Sequence, residues 1–206
     1  MPPSREKLET YRDKRDFARS PEPQGEGNDW KKRDNPVFVI QQHDASSMHF
    51  DFRLEIDGVL VSWAVPKGPS TDPEDKRLAI RTEDHPMAYA DFEGTIPKDE
   101  YGGGRVIVWD AGPFRNLKKN DGGEEIPLAD CLENGQVEVW LEGRKIRGGY
   151  ALINSKMGGV DKNWLLIKMK DEGADARRNP VSTQPKSVLS GRTIEDLGEP
   201  AEDDSA

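Results

Sequence analysis

The chain has 206 residues and a formal net charge of -9, and hydrophobic and charged residues each make up 33% of it. This length suffices for one domain with extensions, and the modest apolar content predicts a compact core with some chain outside it. The negative charge argues against a non-specific nucleic-acid coat, and no apolar stretch is long enough to span a membrane. A single cysteine excludes an internal disulfide framework and, with no secretory signal, favours the cytoplasm.

Residues 1–34 are polar and rich in charge of both signs, which predicts an N-terminal arm outside the core. The pattern of residues 5–15 is compatible with a short helix whose apolar face is thin, consisting of Leu8 and Tyr11. The sequence SPEPQG at residues 20–25 then ends any helix. Composition alone leaves open whether this arm is disordered or folds over a site.

Between residues 35 and 170 the hydrophobic pattern has the period of two that is typical of strands. The clearest strand covers residues 49–56, and Asp57-Gly58 predicts a tight hairpin turn into a strand at 59–65. Further strands are predicted at residues 37–43, 78–82, 105–110, 136–142, 145–154 and 164–169. Short strands separated by glycine-rich turns predict a mainly β fold, a closed or nearly closed β-barrel of about eight strands with a polar N-terminal arm.

The segment 171–206 carries nine acidic and four basic residues and few apolar ones. Such a composition predicts an acidic flexible tail or linker that is dispensable for chemistry. Because the tail carries more than half of the net negative charge, a local basic surface elsewhere is compatible with the acidic chain.

The histidines fall in two short patches. The first reads H-x5-H-x-D-x-R and contains His43, His49, Asp51 and Arg53. Alternate residues of a strand share one face, so His49, Asp51 and Arg53 form a row, and His43 at the end of the preceding strand can reach it. Two imidazoles and a carboxylate make a three-ligand set for Mn, Fe, Zn or Co with open positions for water and substrate.

The charged neighbours of this set suit phosphate chemistry. Arg53 can hold phosphate oxygens bidentately, His85 can serve as a general acid or transition-state donor, and Tyr89 follows at i+4 to donate to the same anion. Two other interpretations stay open on these residues. One is a merely solvated polar sheet face; the other is an iron oxygenase with two histidines and one carboxylate.

Several motifs, in order along the chain, closely resemble the 3'-phosphoesterase domain of bacterial DNA ligase D. The longest is FVIQQHDASSMHFDFRLE at residues 38–55, and the resemblance extends from about Tyr11 to Met169. The other motifs are YRDKRDF at 11–17 with PEP at 21–23, WAVPKGP at 63–69, EDHP at 83–86 with Tyr89, FEGTIP at 92–97, and YGGG at 101–104.

The resemblance implies a manganese-dependent enzyme that trims DNA 3' ends in end-joining repair, with Co2+ or Zn2+ as other candidate metals. Members of this family remove a terminal 3'-ribonucleoside and then hydrolyse the remaining 3'-phosphate to a hydroxyl. The family fold is a β-barrel with a polar active-site crescent.

The same resemblance assigns site residues. It implies His43, His49 and Asp51 as metal ligands, Arg53 and His85 as the phosphate-binding and catalytic pair, and Tyr89 beside them. It also implies roles for arm residues and for further substrate contacts. These are Asp16 and Glu22 as catalytic residues, and Arg15, Gln41, Lys67 and Arg77 as substrate or phosphate contacts.

Ligase D usually fuses this domain to an ATP-dependent ligase and a primase-like polymerase, whereas this sequence contains no adenylation motif of a ligase. The implied partners are DNA 3' ends, a ligase, a polymerase and a Ku-type end-binding protein, in a nucleoid-associated cytoplasmic location without a membrane. Two alternatives remain: a general phosphodiesterase or phosphomonoesterase outside DNA repair, and a non-catalytic nucleic-acid-binding barrel, which would need exposed stacking aromatics.

Overall fold

A computed structural model describes residues 5–25 and 35–200. The remainder of the predicted arm and residues 201–206 of the predicted tail lie outside these ranges. The α-helices are α1 (Glu9–Asp13), α2 (Leu128–Glu133) and α3 (Pro180–Thr183), and 3-10 turns cover Arg5–Leu8, Met87–Asp91 and Met157–Gly159. The strands are β1 (Val37–Asp44), β2 (Met48–Ile56), β3 (Val59–Val65), β4 (Lys76–Arg81), β5 (His85–Pro86), β6 (Gly94–Ile96), β7 (Gly104–Asn116), β8 (Gln136–Glu142), β9 (Arg147–Asn154) and β10 (Asn163–Lys168).

Within the described ranges, eight antiparallel strands close into a barrel in the order β1-β2-β3-β4-β10-β9-β8-β7, and β7 pairs back with β1. Two short strands lie outside this ring, because β5 pairs with β3 and β6 with β7. The prediction of a mainly β fold with a closed barrel of about eight strands is confirmed. No helix in the part of the chain that the structure describes is long and apolar enough to cross a membrane.

The long strand β7 closes the barrel, since its first part pairs with β1 and its last residues pair with β8. The sequence predicted only residues 105–110 of it, because Gly112 and Pro113 interrupt the alternating pattern. Gly112 is required here: a Cβ atom would lie 2.2 Å from the carbonyl oxygen of Glu142. Gly112 therefore interrupts the alternating hydrophobic pattern without ending the strand, because β7 passes close to the backbone of Glu142 at this residue.

The barrel interior is filled by the apolar side chains of the alternating strands. Phe50, Phe52, Trp63 and Trp109 are all at most 3% exposed and belong to one core cluster. Each such side chain contributes about 2–3 kcal/mol when it leaves water. This packing fixes the orientation of β2, so that its alternate residues must face away from the interior.

The N-terminal arm packs on the outside of the barrel through the thin apolar face noted in the sequence. Leu8 and Tyr11 are 2% and 0% exposed, and Tyr11 joins a second apolar cluster with Leu60 and Tyr89. The Tyr11 hydroxyl donates to the carbonyl of Pro23 at 2.7 Å, which folds residues 11–23 back on themselves. Two large apolar side chains, with ion pairs such as that between Lys14 and Glu83, thus dock this part of the arm.

The segment after residue 170, which the sequence predicts to be a flexible tail, packs on the barrel up to residue 200 in the structure. Ile194 and Leu197 are 1% and 6% exposed and cluster with Ile107 of β7. The low average apolar content of the segment hides these two residues, which are spaced so that both reach the same strand. Sequence composition averaged over the segment could not reveal that placement.

Barrel side chains bind the backbone of the same segment. Trp109 Nε1 donates to the carbonyl of Gln184 at 2.9 Å, and Lys145 Nζ donates to the same carbonyl at 2.8 Å. Thr71 Oγ1 lies 2.8 Å from the carbonyl oxygen of Asp175, to which it can donate. Carbonyl groups held in this way do not need water, so a polar segment can dock with little apolar area.

Candidate metal and phosphate site

One cleft gathers most of the predicted site residues. It has a volume of about 270 Å³ and lies where β1, β2, the arm and the chain around β5 meet. Its lining residues are Arg15, Glu22, His43, Ala45, His49, Asp51, Arg53, Ala64, Thr82, Glu83, His85, Tyr89, Ile96, Tyr101 and Gly102. The predicted ligands His43, His49 and Asp51 therefore share a single cleft with Arg53 and His85.

The register between β1 and β2 builds the centre of this cleft. His43 lies directly opposite His49, and Gln41 lies opposite Asp51. Because the core packing turns Phe50 and Phe52 inward, the alternate residues of β2 form the outward row that the sequence predicted. A break in the β1–β7 register between Ile40 and Gln41 adjusts the strand just before these polar residues.

His43, His49 and Asp51 converge as a candidate metal-binding group, with ligand atoms all within 4.8 Å of one another. His43 Nδ1 lies 3.4 Å from Asp51 Oδ2, and His49 Nε2 lies 3.6 Å from Asp51 Oδ1. Within the residues that the structure describes, this is the one such group of three. The three atoms face a common point, as ligands of a single cation must.

Backbone carbonyls fix the orientation of both imidazoles. His43 Nε2 lies 2.8 Å from the carbonyl oxygen of Gly102, and His49 Nδ1 lies 3.0 Å from that of Ser47. These contacts place an N–H on each outer nitrogen, so a neutral imidazole would offer a cation the lone pair of its inner nitrogen, which here contacts Asp51. Metal-ligating histidines are held in this way in proteins, so the donor set fits a divalent transition metal.

Charge neighbours set the protonation of the carboxylate. Burial would raise the pKa of Asp51, but the Arg53 guanidinium and the hydrogen bonds from His43 and His49 outweigh it and hold this pKa well below its usual range. Burial lowers the pKa of His49, and the hydrogen bond to Asp51 and its negative charge reverse that effect, so the pKa is raised. Asp51 is therefore an anion, as a metal ligand must be.

Arg53 is held by three protein contacts. Its Nε donates to Gln41 Oε1 at 2.8 Å, its Nη1 to Ser62 Oγ at 2.9 Å, and its Nη2 to Asp51 Oδ2 at 3.1 Å. A guanidinium has five N–H groups, so two remain for an anion in the cleft. The side chain is thus rigidly oriented without being saturated.

Ser62 is a site residue that the sequence reasoning missed. It interrupts the apolar run VLVSWAV of β3 and lies directly opposite Arg53 in the β2–β3 register. It is fully buried, and it donates to the carbonyl of Leu60 while it accepts from Arg53. A lone serine in a buried strand beside a predicted charged row was the signal that could have identified it.

His85 lies across the cleft in β5. Its Nδ1 lies 3.0 Å from the carbonyl oxygen of Glu83, so this nitrogen carries the hydrogen, and its Nε2 lies 3.4 Å from Arg15 Nη2. Burial, with the guanidinium groups of Arg53 and Arg15, holds the pKa of His85 well below its usual range. In this structure His85 is therefore a neutral imidazole whose Nε2 accepts a hydrogen bond.

The arm contributes charged side chains to the wall of the cleft. Arg15 Nε donates to Glu22 Oε1 at 2.9 Å and its Nη1 to Glu83 Oε1 at 3.2 Å, with all three side chains at most 4% exposed. Tyr89 donates from its hydroxyl to Glu22 Oε1 at 2.9 Å, and its ring packs edge-on against His85 at a centroid distance of 4.7 Å. Glu83 was quoted in a motif but not expected in the site.

A family model described as the DNA Ligase D 3'-phosphoesterase domain matches residues 41–154, more than half of the chain. The chain belongs to this family. It is 45% identical over 198 residues to the "Multifunctional non-homologous end joining protein LigD" of Pseudomonas aeruginosa, which covers 93% of the chain. The protein of the same name from Mycolicibacterium smegmatis is 45% identical over 175 residues, covering 82% of the chain, and its Mycobacterium tuberculosis relative is 42% identical over 177 residues, also covering 82%.

The chain spans only about a fifth of the length of these relatives, 22% of the Pseudomonas protein and 21% of each mycobacterial one. Most of the match covers the barrel and its cleft, since the family model begins at Gln41 on β1 and ends at Asn154, the last residue of β9. The residues matched by the family model include His43, His49, Asp51, Arg53 and His85, whereas Arg15 and Glu22 of the arm precede them.

Four of the predicted site residues do not line the cleft of this phosphoesterase domain. Asp16 is exposed and accepts a hydrogen bond from the N–H of Ala18 within its own turn. Lys67 is exposed on the turn after β3, and Arg77 lies where β4 pairs with β10 and bonds to Asp75. The family resemblance alone suggested a role for these three residues.

Gln41 is the fourth, and its side-chain contacts in the structure are with protein groups. Its Nε2 donates to the carbonyls of Tyr89 and Phe92, and its Oε1 accepts from Arg53. The side chain is fully buried. Gln41 thus contacts the arginine and not the cleft: the register places it opposite Asp51, and its Oε1 reaches Arg53 Nε from there.

Proposed function

We propose that the chain is a metal-dependent phosphoesterase that processes DNA 3' ends, removing a terminal 3'-ribonucleoside and then hydrolysing the 3'-phosphate that remains. One observation carries this proposal. The three-ligand group of His43, His49 and Asp51 lies in the same cleft as Arg53 and His85. A cation site next to an oriented guanidinium is what hydrolysis of a phosphate ester needs.

The metal would be held by His43 Nδ1, His49 Nε2 and a carboxylate oxygen of Asp51. This mixed nitrogen and oxygen set suits several divalent transition metals, and we propose Mn2+ because the family resemblance implies it, with Co2+ or Zn2+ as the other candidates. When bound, a divalent cation lowers the pKa of a coordinated water and offsets the negative charge on the phosphate. The contacts of the outer nitrogens with the carbonyls of Gly102 and Ser47 would hold both imidazoles with their inner nitrogens toward the cation.

Arg53 would bind the substrate phosphate through its two remaining N–H groups. Because three contacts already fix the guanidinium, little side-chain entropy is lost when the phosphate arrives. The charge of the guanidinium then stabilises the extra negative charge that develops on the phosphate oxygens in the transition state. Gln41 and Ser62 act on the reaction through Arg53, as positioning residues.

His85 would transfer a proton. The two guanidinium groups that lower its pKa are neutralised in part when a phosphate dianion binds between them, and this favours protonation of Nε2. The carbonyl of Glu83 keeps the Nδ1 hydrogen in place, so any proton gained is on the side that faces the cleft. A protonated His85 can donate to the leaving oxygen.

The arm would hold the terminal nucleoside. Arg15 reaches both Glu22 and Glu83 from the arm, and Ser20 donates from its hydroxyl to Glu22 Oε2 at 2.7 Å. Buried carboxylates at the wall of the cleft can accept hydrogen bonds from the sugar hydroxyls of a ribonucleoside. This charge network thus favours a substrate larger than a simple phosphate end.

The names of the relatives connect this domain with non-homologous end joining. We therefore propose broken or primer-template DNA ends as substrates, with a ligase, a polymerase and a Ku-type end-binding protein as working partners. DNA as substrate would place the protein in the cytoplasm with the nucleoid.

The proposal is tested with metal-stripped protein and two DNA primers, one ending in a 3'-phosphate and the other in a single 3'-ribonucleotide. We expect no product without metal and conversion of both ends after addition of Mn2+, with Co2+ or Zn2+ as comparisons. An enzyme that hydrolyses small phosphodiesters but neither DNA end would be a general phosphoesterase. Binding of DNA without turnover under every metal would identify a non-catalytic barrel.

A further inference from the structure

Tyr101 is an exposed aromatic residue at the wall of the cleft. It is 46% exposed, and among the described residues it is the one aromatic side chain in the group of large apolar side chains that face solvent. The reaction proposed above uses the imidazoles, the guanidinium and the carboxylates of the cleft but does not involve this ring. The ring thus combines exposure to solvent with a place in the lining of the cleft, where a bound substrate would meet it.

The loop that carries Tyr101 is rigid. The N–H of Gly103 donates to the carbonyl of Glu100 at 2.9 Å. A Cβ atom on Gly103 would lie 2.5 Å from the carbonyl oxygen of Pro97, and one on Gly104 would lie 2.2 Å from that of Asp44. Residues with a Cβ atom would clash at both glycine positions, so the backbone beside Tyr101 is closely packed against neighbouring chain segments.

The same loop is tied to the candidate metal ligands. Gly102, the residue after Tyr101, supplies the carbonyl that His43 contacts at 2.8 Å. The Tyr101 ring is also held from the arm, because Lys14 Nζ lies 4.6 Å from the ring centroid and donates to the hydroxyl at 3.2 Å. The position of the ring is thus coupled to the site where the phosphate would be cleaved.

We propose that the Tyr101 ring is a stacking platform for the nucleobase of the nucleotide that presents its 3' end to the cleft. This inference rests on the proposed function and adds a base-binding subsite to it. Base-aromatic stacking tolerates any base, since every base has a π face. It therefore suits an enzyme that must accept DNA ends of any sequence, and it makes the enzyme prefer a nucleotide end over a simple phosphate ester.

A different role for Tyr101 would be to orient Lys14 and Glu83, whose Oε2 lies 3.5 Å from the tyrosine hydroxyl. The two roles separate through the substrate. If Tyr101 stacks on the base, its loss should weaken binding only of ends that carry a terminal base. If it orients charged neighbours, its loss should affect the reaction of ends with and without a base equally.

The experiment measures KM and kcat on two DNA primers that end in a 3'-phosphate, one with a normal terminal base and one with an abasic terminal sugar. Stacking contributes about 1–3 kcal/mol per base, which corresponds to a factor of roughly 5 to 150. We expect the wild-type KM to be at least about fivefold lower for the end with a base. In Tyr101→Leu this preference should disappear through a higher KM on that end alone, and Tyr101→Phe, which keeps the π face, should restore most of it.

Trp140→Leu is the matched control, since Trp140 is a half-buried aromatic residue on β8 with an arginine, Arg115, over its ring at 5.1 Å, and it lies outside the cleft. The wild-type base preference should persist in this variant. Fluorescence of a terminal 2-aminopurine base gives a second measurement without turnover, with quenching on binding to wild type and much less quenching with Tyr101→Leu.

Each outcome decides the matter. An active wild type without base preference, or Tyr101→Leu with the wild-type preference, would overturn the stacking subsite while the phosphoesterase proposal stands. Equal losses of Tyr101→Leu on both primers would also overturn it in favour of the orienting role. A wild type inactive on both primers would contradict the proposed function itself, and the subsite with it.

Discussion

Gln41 accepts a hydrogen bond of 2.8 Å from Arg53 Nε and donates to two backbone carbonyls from its amide nitrogen. The side chain thereby links the Arg53 guanidinium to the chain around Tyr89 on the other side of the cleft. A fully buried glutamine with all these contacts cannot reach a substrate. Its effect on the reaction must therefore pass through the orientation of Arg53.

Gln41→Met should reduce kcat on a 3'-phosphate end by about 10- to 100-fold, because misplacement of a substrate-positioning group by about 1 Å has effects of this size. Metal affinity should stay close to wild type, since Gln41 contacts no candidate ligand. Steady-state kinetics and calorimetric Mn2+ titration test both parts. Gln42→Met, on the next residue of the same strand, is the control and should retain wild-type kcat. A loss of metal affinity in Gln41→Met would contradict the positioning role.

Arg53→Ala should lower kcat at least about 100-fold, as the loss of an oriented donor to developing charge does. The structure adds a point that the sequence did not predict: Arg53 Nη2 lies 3.1 Å from Asp51 Oδ2. Removing the cation takes away a competitor for that carboxylate, so Mn2+ affinity should not fall by more than about threefold. Calorimetry is the measurement. A collapse of metal affinity would mean that Arg53 supports the ligand group and not the phosphate.

Much of this site could be predicted because it follows from strand alternation and one register. Phe50 and Phe52 pack inward, so His49, Asp51 and Arg53 share the outer face, and the short turn before β2 brings His43 opposite His49. Local sequence contains all of that information. The closed barrel could be predicted for the same reason, from alternating segments and turn residues.

The remainder depends on contacts between distant segments. Ser62 acquires its role from the β2–β3 register, and Glu83 from Arg15, which lies 68 residues earlier in the chain. The docking of Ile194 on Ile107 likewise reflects the folded surface and not the composition of the tail. Because such contacts depend on how distant segments come together in the folded barrel, the local sequence pattern does not predict them.

Ile194→Ala should lower the free energy of unfolding by about 2–4 kcal/mol, the usual cost of truncating a buried isoleucine. A flexible tail would predict no change. Urea denaturation measures the difference, and Leu189→Ala in the same segment is the matched control. Leu189 is 56% exposed, so its truncation should change stability by no more than about 0.5 kcal/mol. Equal free energies of unfolding of the two variants would indicate that the segment is a flexible tail.

Lys145 should make stability depend on pH in the alkaline range. Burial lowers the pKa of Lys145 to about 8, although the carboxylate of Asp110 acts in the opposite direction. The unfolded chain, with a lysine pKa of about 10.4, binds more protons between these two values. The cost of burying the charge is therefore fully present below pH 8 and is lost as the pH rises toward 10.4.

The test compares wild type with Lys145→Met by urea denaturation at a series of pH values. From pH 7.5 to 10.5 the wild type should gain about 1–2 kcal/mol of stability relative to the variant. This gain is smaller than the whole difference in the Lys145 pKa would give, because Nζ remains bonded to the carbonyls of Gln184 and Lys186. Other groups that titrate in this range are common to both proteins. A difference that does not change with pH would show that Lys145 is charged with its ordinary pKa.

The most direct test of the proposed 3'-end processing is the time course of a 5'-labelled DNA primer that ends in one 3'-ribonucleotide, incubated with Mn2+ and either wild type or Asp51→Asn. The proposed two-step activity requires that the wild type first forms a 3'-phosphate end and then converts it to a 3'-hydroxyl, while Asp51→Asn accumulates neither product. Wild-type conversion without the phosphate intermediate, no conversion at all, or full activity in Asp51→Asn would contradict it.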